Sequence, residues 1–206
     1  MRSPSLLLAA VALVAVAGCG GSEAGTPSAA PTPSAGTAAP SASDEPSSRP
    51  KDLDVAAVDP CQAVTTAQTA AWAVDRPPSA RTMGGNTLLP GVPSCVFGSF
   101  TQQTGFLIAA SPTVGLPEFL ADSPAGHPRE DASVEGFPAV VQEGPTSAPE
   151  RGSGECYALV DVADGQLLLV QFSQIAASQD KRLPIESLCA KAEEVAAAAL
   201  TTLQGG

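Results

Sequence analysis

The chain has 206 residues, of which 15% are charged, with 10 Lys and Arg against 21 Asp and Glu and a formal net charge of −11. That balance repels polyanions, which argues against nucleic acid and against an anionic lipid surface as partners. One Trp, one Tyr and six Phe also leave few of the aromatic faces on which flat ligands and glycans usually stack.

The first 19 residues read as an export signal. Arg2 supplies a short positive region, Leu6 to Ala17 is apolar and uncharged, and the run ends in Val16, Ala17, Gly18 and Cys19. The apolar stretch is short for the ~30 Å of a bilayer core, so it reads as a signal segment and not a permanent span. Small residues suit a narrow peptidase site, and the Cys19 thiol is a candidate for a diacylglyceryl group. The motif resembles a lipobox of the Val-Ala-Gly-Cys type. The bland alternative is a secretory signal with an incidental cysteine at its end. A protein so lipidated sits on the outer face of the cytoplasmic membrane, since two or three acyl chains hold stably where one does not.

Between Gly20 and Pro50, 27 of 31 residues are Ala, Ser, Pro, Gly or Thr, with no aromatic or large aliphatic side chain. Such a segment cannot bury enough apolar surface to offset its chain entropy. As a flexible coil it spans ~30 Å, and as polyproline it reaches ~95 Å. Residues 1–18 are therefore expected to be a signal peptide, 19–51 a lipidated N-terminus and disordered tether, and 52–206 a single extracytoplasmic domain.

With Cys19 assigned to lipid, Cys61, Cys95, Cys156 and Cys189 remain. An even set in an oxidising compartment predicts two disulfides. No Cys-x-x-Cys pair exists and His127 is the one histidine, so neither a metal site nor a cofactor is expected. Three connectivities are open.

In chain order, Asp59 and Pro60 begin a helical turn. Thr65 with Gln68 forms a capping-box pattern, predicting a short helix over Thr65 to Ala73 with Ala67, Ala71 and Trp72 on or near its buried side. Residues 75–94 read as loop. Ser94 to Phe100 and Gly105 to Ser111 read as a hairpin, and Leu116 to Ala121 as a short helix. Val134 to Gln142 reads as one strand, with Pro138 placing it at an edge or bulge. Residues 143–154 read as loop. Cys156 to Ser173 reads as a tight hairpin about Asp164 and Gly165, setting Tyr157 opposite Phe172 and Val160 opposite Leu169. Both faces are apolar, so this hairpin is expected at the centre of the sheet. From Pro184 to about Leu203, Ile185, Leu188, Ala192, Val195, Ala199 and Leu203 give the stripe of a closing helix. The expected fold is α+β: an antiparallel sheet packed with an N-terminal and a long C-terminal helix, stapled by disulfides.

Four features share an order seen elsewhere: Asp59-Pro60-Cys61 before a short helix, Cys95-Val96-Phe97 opening a strand, Glu155-Cys156-Tyr157 opening a hairpin, and Cys189 in a C-terminal helix. With the lipobox, they resemble the actinobacterial lipoprotein family known as domain of unknown function 3558, over roughly residues 55–203. The segment Gly136-Phe137-Pro138-Ala139 resembles that family's turn before a strand. The resemblance implies a PsbP-like α/β/α sandwich and an uncharacterised extracytoplasmic role, and it brings no catalytic residue with it.

No catalytic set stands out. His127 lies in a Pro- and Gly-containing stretch without a nucleophile elbow. Glu193 and Glu194 diverge by about 100° on a helix, so they form no dyad. The favoured function is a non-enzymatic module binding an envelope protein or small ligand through loops 75–94 and 123–154. The alternative is a hydrolase or transferase of envelope polymers using acidic residues such as Glu130, Asp131, Glu143 and Glu150.

Overall fold

The computed structural model describes residues 49–85, 87–122, 129–144, 154–174 and 178–205. Seven strands, β1 (Ser79–Thr82), β2 (Pro93–Ser99), β3 (Thr104–Ser111), β4 (Arg129–Val134), β5 (Phe137–Glu143), β6 (Gly154–Ala163) and β7 (Gln166–Gln174), form one sheet. Its order is β1-β2-β3-β7-β6-β5-β4, with every neighbouring pair antiparallel. Helices α1 (Thr66–Ala71), α2 (Leu116–Asp122) and α3 (Ile185–Gln204) complete the α+β architecture.

The sheet has two unequal sides. On the first, α3 lays Leu188, Ala192, Val195, Ala196, Ala199 and Leu200 onto Cys156, Ala158, Val160, Leu168 and Val170. Burying each of the larger side chains is worth about 1.5–3 kcal/mol. Phe97, Phe106 and Phe172 pair in register across three strands. Phe97 stacks on Phe106 at 4.6 Å between ring centroids, and Trp72 meets Phe106 edge-on at 5.3 Å. On the second side, Leu116 and Phe119 of α2, together with Leu89 and Val92, cover Ala109, Tyr157, Leu159, Leu167 and Leu169. Helices thus lie on both faces of the sheet.

Two disulfides join the first layer to the strands. Cys61 bonds Cys95, tying the 3-10 turn Pro60–Gln62 to β2, and Cys156 bonds Cys189, tying β6 to α3. Of the three connectivities left open by the sequence, this is the one formed. All ten residues of β6 are buried, which fits the central place read for its hairpin.

Several details differ from the sequence reading. The capping box at Thr65 is present, with Gln68 N–H donating to Thr65 Oγ1 at 3.3 Å and Thr65 N–H to Gln68 Oε1 at 2.7 Å. Yet α1 buries no residue; Ala67 and Ala71 are exposed, and Trp72 at its C-cap makes the core contact. The span read as one strand from Val134 is a hairpin, because Glu135 and Gly136 both take positive φ (51° and 82°) and reverse the chain. Consequently β5 is internal. Pro138 is accommodated because pairing to β6 begins one residue later, at Ala139 with Val160. Residues 79–82, read as loop, form the edge strand β1.

The β6–β7 register is shifted by one. Ala163 pairs with Gln166 as a two-residue turn requires, but a bulge lies between Asp161 and Ala163, so Cys156 faces Phe172 and Val160 faces Leu168. The extra residue exchanges the two faces of β7 relative to the expected alignment. Leu168, Val170 and Phe172 join the α3 layer, while Leu167 and Leu169 join α2.

The domain is also fixed slightly earlier than residue 52. Arg49 forks onto Asp161 at 2.8 and 2.9 Å and pairs with Asp52 and Asp164.

Candidate ligand groove

The second side of the sheet is only partly covered. Side chains directly opposite one another on neighbouring strands share a face, so two transverse rows lie on this side. One is Val96, Leu107, Gln171 and Tyr157; the other is Gly98, Gly105, Ser173 and Glu155. The second row contains little side chain over β2, β3 and β7. It forms the floor of a groove of about 440 Å³ whose lining includes Arg76, Phe100 and Gln103. A second depression of about 420 Å³, reaching Arg81, Met83, Glu155 and Tyr157, shares Val96, Leu107 and Gln171 with the first. The two adjoin along this row and together make the trench, each within the 300–1,000 Å³ range of small-molecule sites.

The glycines of the floor differ in role. A β-carbon at Gly105 would meet the Phe97 carbonyl oxygen at 2.9 Å, so the backbone itself requires glycine there. At Gly98 it would meet only Arg76 Cδ at 3.5 Å, so that glycine leaves open space.

The rim is set by local chemistry. Asp75 accepts from the Phe100 and Thr101 N–H groups at 2.8 and 2.9 Å and from the Thr101 hydroxyl at 2.7 Å. These bonds, the Phe100 N–H first, hold its carboxyl down at about 2. The turn so held presents Phe100, which is 79% exposed, the most exposed of the large hydrophobic side chains among the described residues. On the β1 side, Ser79 and Arg81 pair with Val96 and Ser94 and so face the groove side. Arg76 and Arg81 both line one depression of about 500 Å³ with Val96 and Gly98.

Across the trench, Glu155 is 9% exposed and accepts from Gln171 Nε2 at 2.6 Å. Burial, then the charge and hydrogen bonding of Glu155, push the Tyr157 phenol well above its ordinary pKa. Gly144 is needed beside it, since a β-carbon there would overlap the Glu155 side chain.

The sequence-derived candidates are placed as follows. Cys61, Cys95, Cys156 and Cys189 are consumed in disulfides. Cys19, His127 and Glu150 lie outside the described residues. Glu130 and Asp131 are exposed on the edge strand β4, and as successive strand residues they point to opposite faces. Glu143 is half-buried at the end of β5. Glu194 accepts from Trp72 Nε1 at 2.7 Å and Lys191 Nζ at 2.6 Å, which makes it a link between α1 and α3. Among the described residues, no three His, Cys, Asp or Glu side chains gather as metal ligands, and no helix is long and apolar enough to cross a membrane.

Of the two loops favoured for binding, 75–94 contributes Arg76, Arg81 and Met83 to the trench, whereas much of 123–154 lies outside the described residues. Sequence reasoning missed the groove. Its signal was Gly98 and Gly105 inside two strands, since a strand glycine often marks a place where something else approaches the backbone.

A family model described as "Protein of unknown function (DUF3558)" matches residues 14–202. No curated protein and no solved structure matches the chain.

Proposed function

The chain belongs to this family of unknown function, and on that premise we propose that it is a lipid-anchored extracytoplasmic protein whose domain binds a ligand or envelope component without catalysing a reaction. The observation that carries the binding reading is the trench over Gly98 and Gly105, lined by Val96, Leu107 and Phe100 with charged groups at its margins. Concave apolar surface with a few fixed polar groups is the usual form of a ligand site. The anchor rests on residues 1–19, with Cys19 as the lipidated residue. The actinobacterial origin and the PsbP-like likeness belong to the same proposal, supported by the lipobox and by helices on both sheet faces.

The non-enzymatic reading rests on where the acidic side chains lie. Glu130 and Asp131 diverge on a strand, and Glu194 is engaged by Trp72 and Lys191. Glu155 is the buried carboxylate of the trench and is held by Gln171.

Gly98→Leu tests the groove. The new side chain has room at its β-carbon, so the variant should fold normally and fill the floor. Envelope extract passed over the tagged chain and over the variant, with retained lipids, glycans and proteins identified, should show a component lost with the variant. Identical retention by both sinks the groove reading. The anchor is tested by Cys19→Ala, which should move the protein from membrane to soluble fraction and abolish incorporation of labelled palmitate. Unchanged membrane retention overturns it.

A further inference from the structure

We propose that the trench takes a single-chain anionic amphiphile, with its apolar chain across Gly98, Gly105 and Leu107 and its carboxylate or phosphate held by Arg76 and Arg81. This rests on the binding reading above and names the ligand class of the same site.

The charges carry the argument. The chain has 21 acidic residues against 10 basic ones, so a basic side chain would ordinarily find an acidic partner. Arg49 pairs with Asp52, Asp161 and Asp164, Lys191 pairs with Glu194, and Lys181 donates to the Thr101 carbonyl. The Arg81 backbone is tied to β2 and its carbonyl accepts from the Ser94 hydroxyl, but the guanidinium groups of Arg76 and Arg81 make no ion pair or hydrogen bond with any described residue, and both border one depression beside Val96 and Gly98. Two guanidiniums left unneutralised on one rim of an acidic protein are a site for a planar anion, which a guanidinium fork binds in bidentate fashion. The net charge of −11 disfavours an extended anionic surface, but at physiological salt fields fade over about 8 Å. A single anionic group at the rim therefore responds chiefly to these two side chains.

Polarity along the trench fixes the orientation. Glu155, buried beyond Ser173 and Gln171, repels an anion at that side. The head group belongs at the arginine rim. On the β2 and β3 side the floor is glycine and aliphatic, with Ser173 and Gln171 lying toward Glu155, and Phe100 stands at its edge. The two depressions lie side by side along the row of Val96, Leu107 and Gln171, an elongated strip that suits a chain better than a compact polar solute.

The test is calorimetric titration of the full chain with dodecyl phosphate, dodecanoate, dodecyltrimethylammonium and inorganic phosphate, each below its micelle concentration where it has one. Both anionic amphiphiles should bind with one-to-one stoichiometry, and more weakly as salt rises. The cationic amphiphile should bind at least tenfold more weakly, and phosphate alone should give no saturable heat. Exchanging both rim residues, Arg76→Gln with Arg81→Gln, should weaken the anions by tenfold or more while leaving the melting temperature unchanged, because both side chains are exposed.

Equal binding of the cationic amphiphile, or an unaffected double variant, overturns the proposal. So does inorganic phosphate competing as well as dodecyl phosphate, which would mark an anion site without a chain, or binding only to phosphatidylglycerol vesicles, which would mark a lipid surface. If Gly98→Leu loses an envelope component while no amphiphile binds, the groove reading stands and this inference falls. If amphiphile binding survives Gly98→Leu, the amphiphile sits elsewhere and this inference falls, and the groove reading falls with it only if envelope retention is also unchanged.

Discussion

Ala73 holds a φ of 55° just after the C-cap of α1, a left-handed conformation in which its β-carbon crowds the following carbonyl. Its N–H still donates to the Ala70 carbonyl, and the next turn leads directly to Asp75. Ala73→Gly should therefore stabilise the domain, by about 0.5–1 kcal/mol after allowing for the looser unfolded chain, read as a higher urea midpoint with an unchanged m-value. Asp75 makes a prediction in pH. Its folded carboxyl titrates near 2 against an ordinary 3.8. The unfolded chain therefore binds the proton first as pH falls. The stabilisation from Asp75 is complete above about pH 4 and disappears as pH drops through about 2. Asp75→Asn should lower the melting temperature at pH 7, and the gap to wild type should close by pH 2 in paired thermal scans. A gap that persists at pH 2 would mean that the carboxylate charge is not what holds the Phe100 turn.

At the scale of elements, the β2–β3 and β6–β7 hairpins and the closing helix were legible because their signals are local: alternating apolar runs, turn residues, and a three- and four-residue stripe. What was not legible depended on a single extra residue or a distant neighbour. The β6 bulge near Val162 leaves the hairpin recognisable but swaps the faces of β7, and no local pattern marks it when both faces are apolar. The Glu135–Gly136 turn was hidden by the apolar residues on either side. Residues 79–82 became a strand because β2 offers its edge, a tertiary fact. Helix α1 is the complementary case: its capping box was readable, but its placement beside α3 comes from Trp72, Glu194 and the Gln68 bond to the Ala198 carbonyl. The two disulfides should consequently behave differently. Each closes a loop of similar length, with sequence separations of 34 and 33, worth about 4 kcal/mol on the chain-entropy model. Helix α3 retains six buried residues if its bridge is lost, whereas residues 59–72 retain only Pro60, Ala63 and Val64, and α1 none. Replacing Cys61 and Cys95 by Ala should raise amide exchange over residues 59–72 well beyond the rest of the domain, while replacing Cys156 and Cys189 should lower global stability more evenly. Uniform exchange in both variants would contradict this division.

Across the whole domain, the chain enters at one end of the sheet and the exposed aromatic stands at the other. Arg49 is clamped to Asp161 and Asp164 at the β6–β7 turn. Phe100 and Gln103 lie beyond Thr104, which pairs with Gln174 at the far end of β7. Nine residues of strand separate these ends, or about 30 Å at roughly 3.3 Å per residue. The Arg49 side chain is only 11% exposed, so the first described residue is itself fixed on the domain. If the chain is held by lipid at Cys19, as proposed, attachment at Arg49 is expected to bring the Asp164 end nearer the membrane on average than the Phe100 end of the trench. A ligand would then reach the groove from the wall side without passing between domain and bilayer. Single labelling sites at Phe100→Cys and Asp164→Cys, in lipidated protein on vesicles carrying a headgroup quencher, measure this. The label at 164 should be quenched more than the label at 100. Shortening the tether between residues 24 and 44 should widen the difference, because less slack lets the domain tumble less. Equal quenching at both tether lengths would show that the Arg49 clamp does not orient the domain. Stronger quenching at 100 would point the groove, and its supply of ligand, toward the membrane.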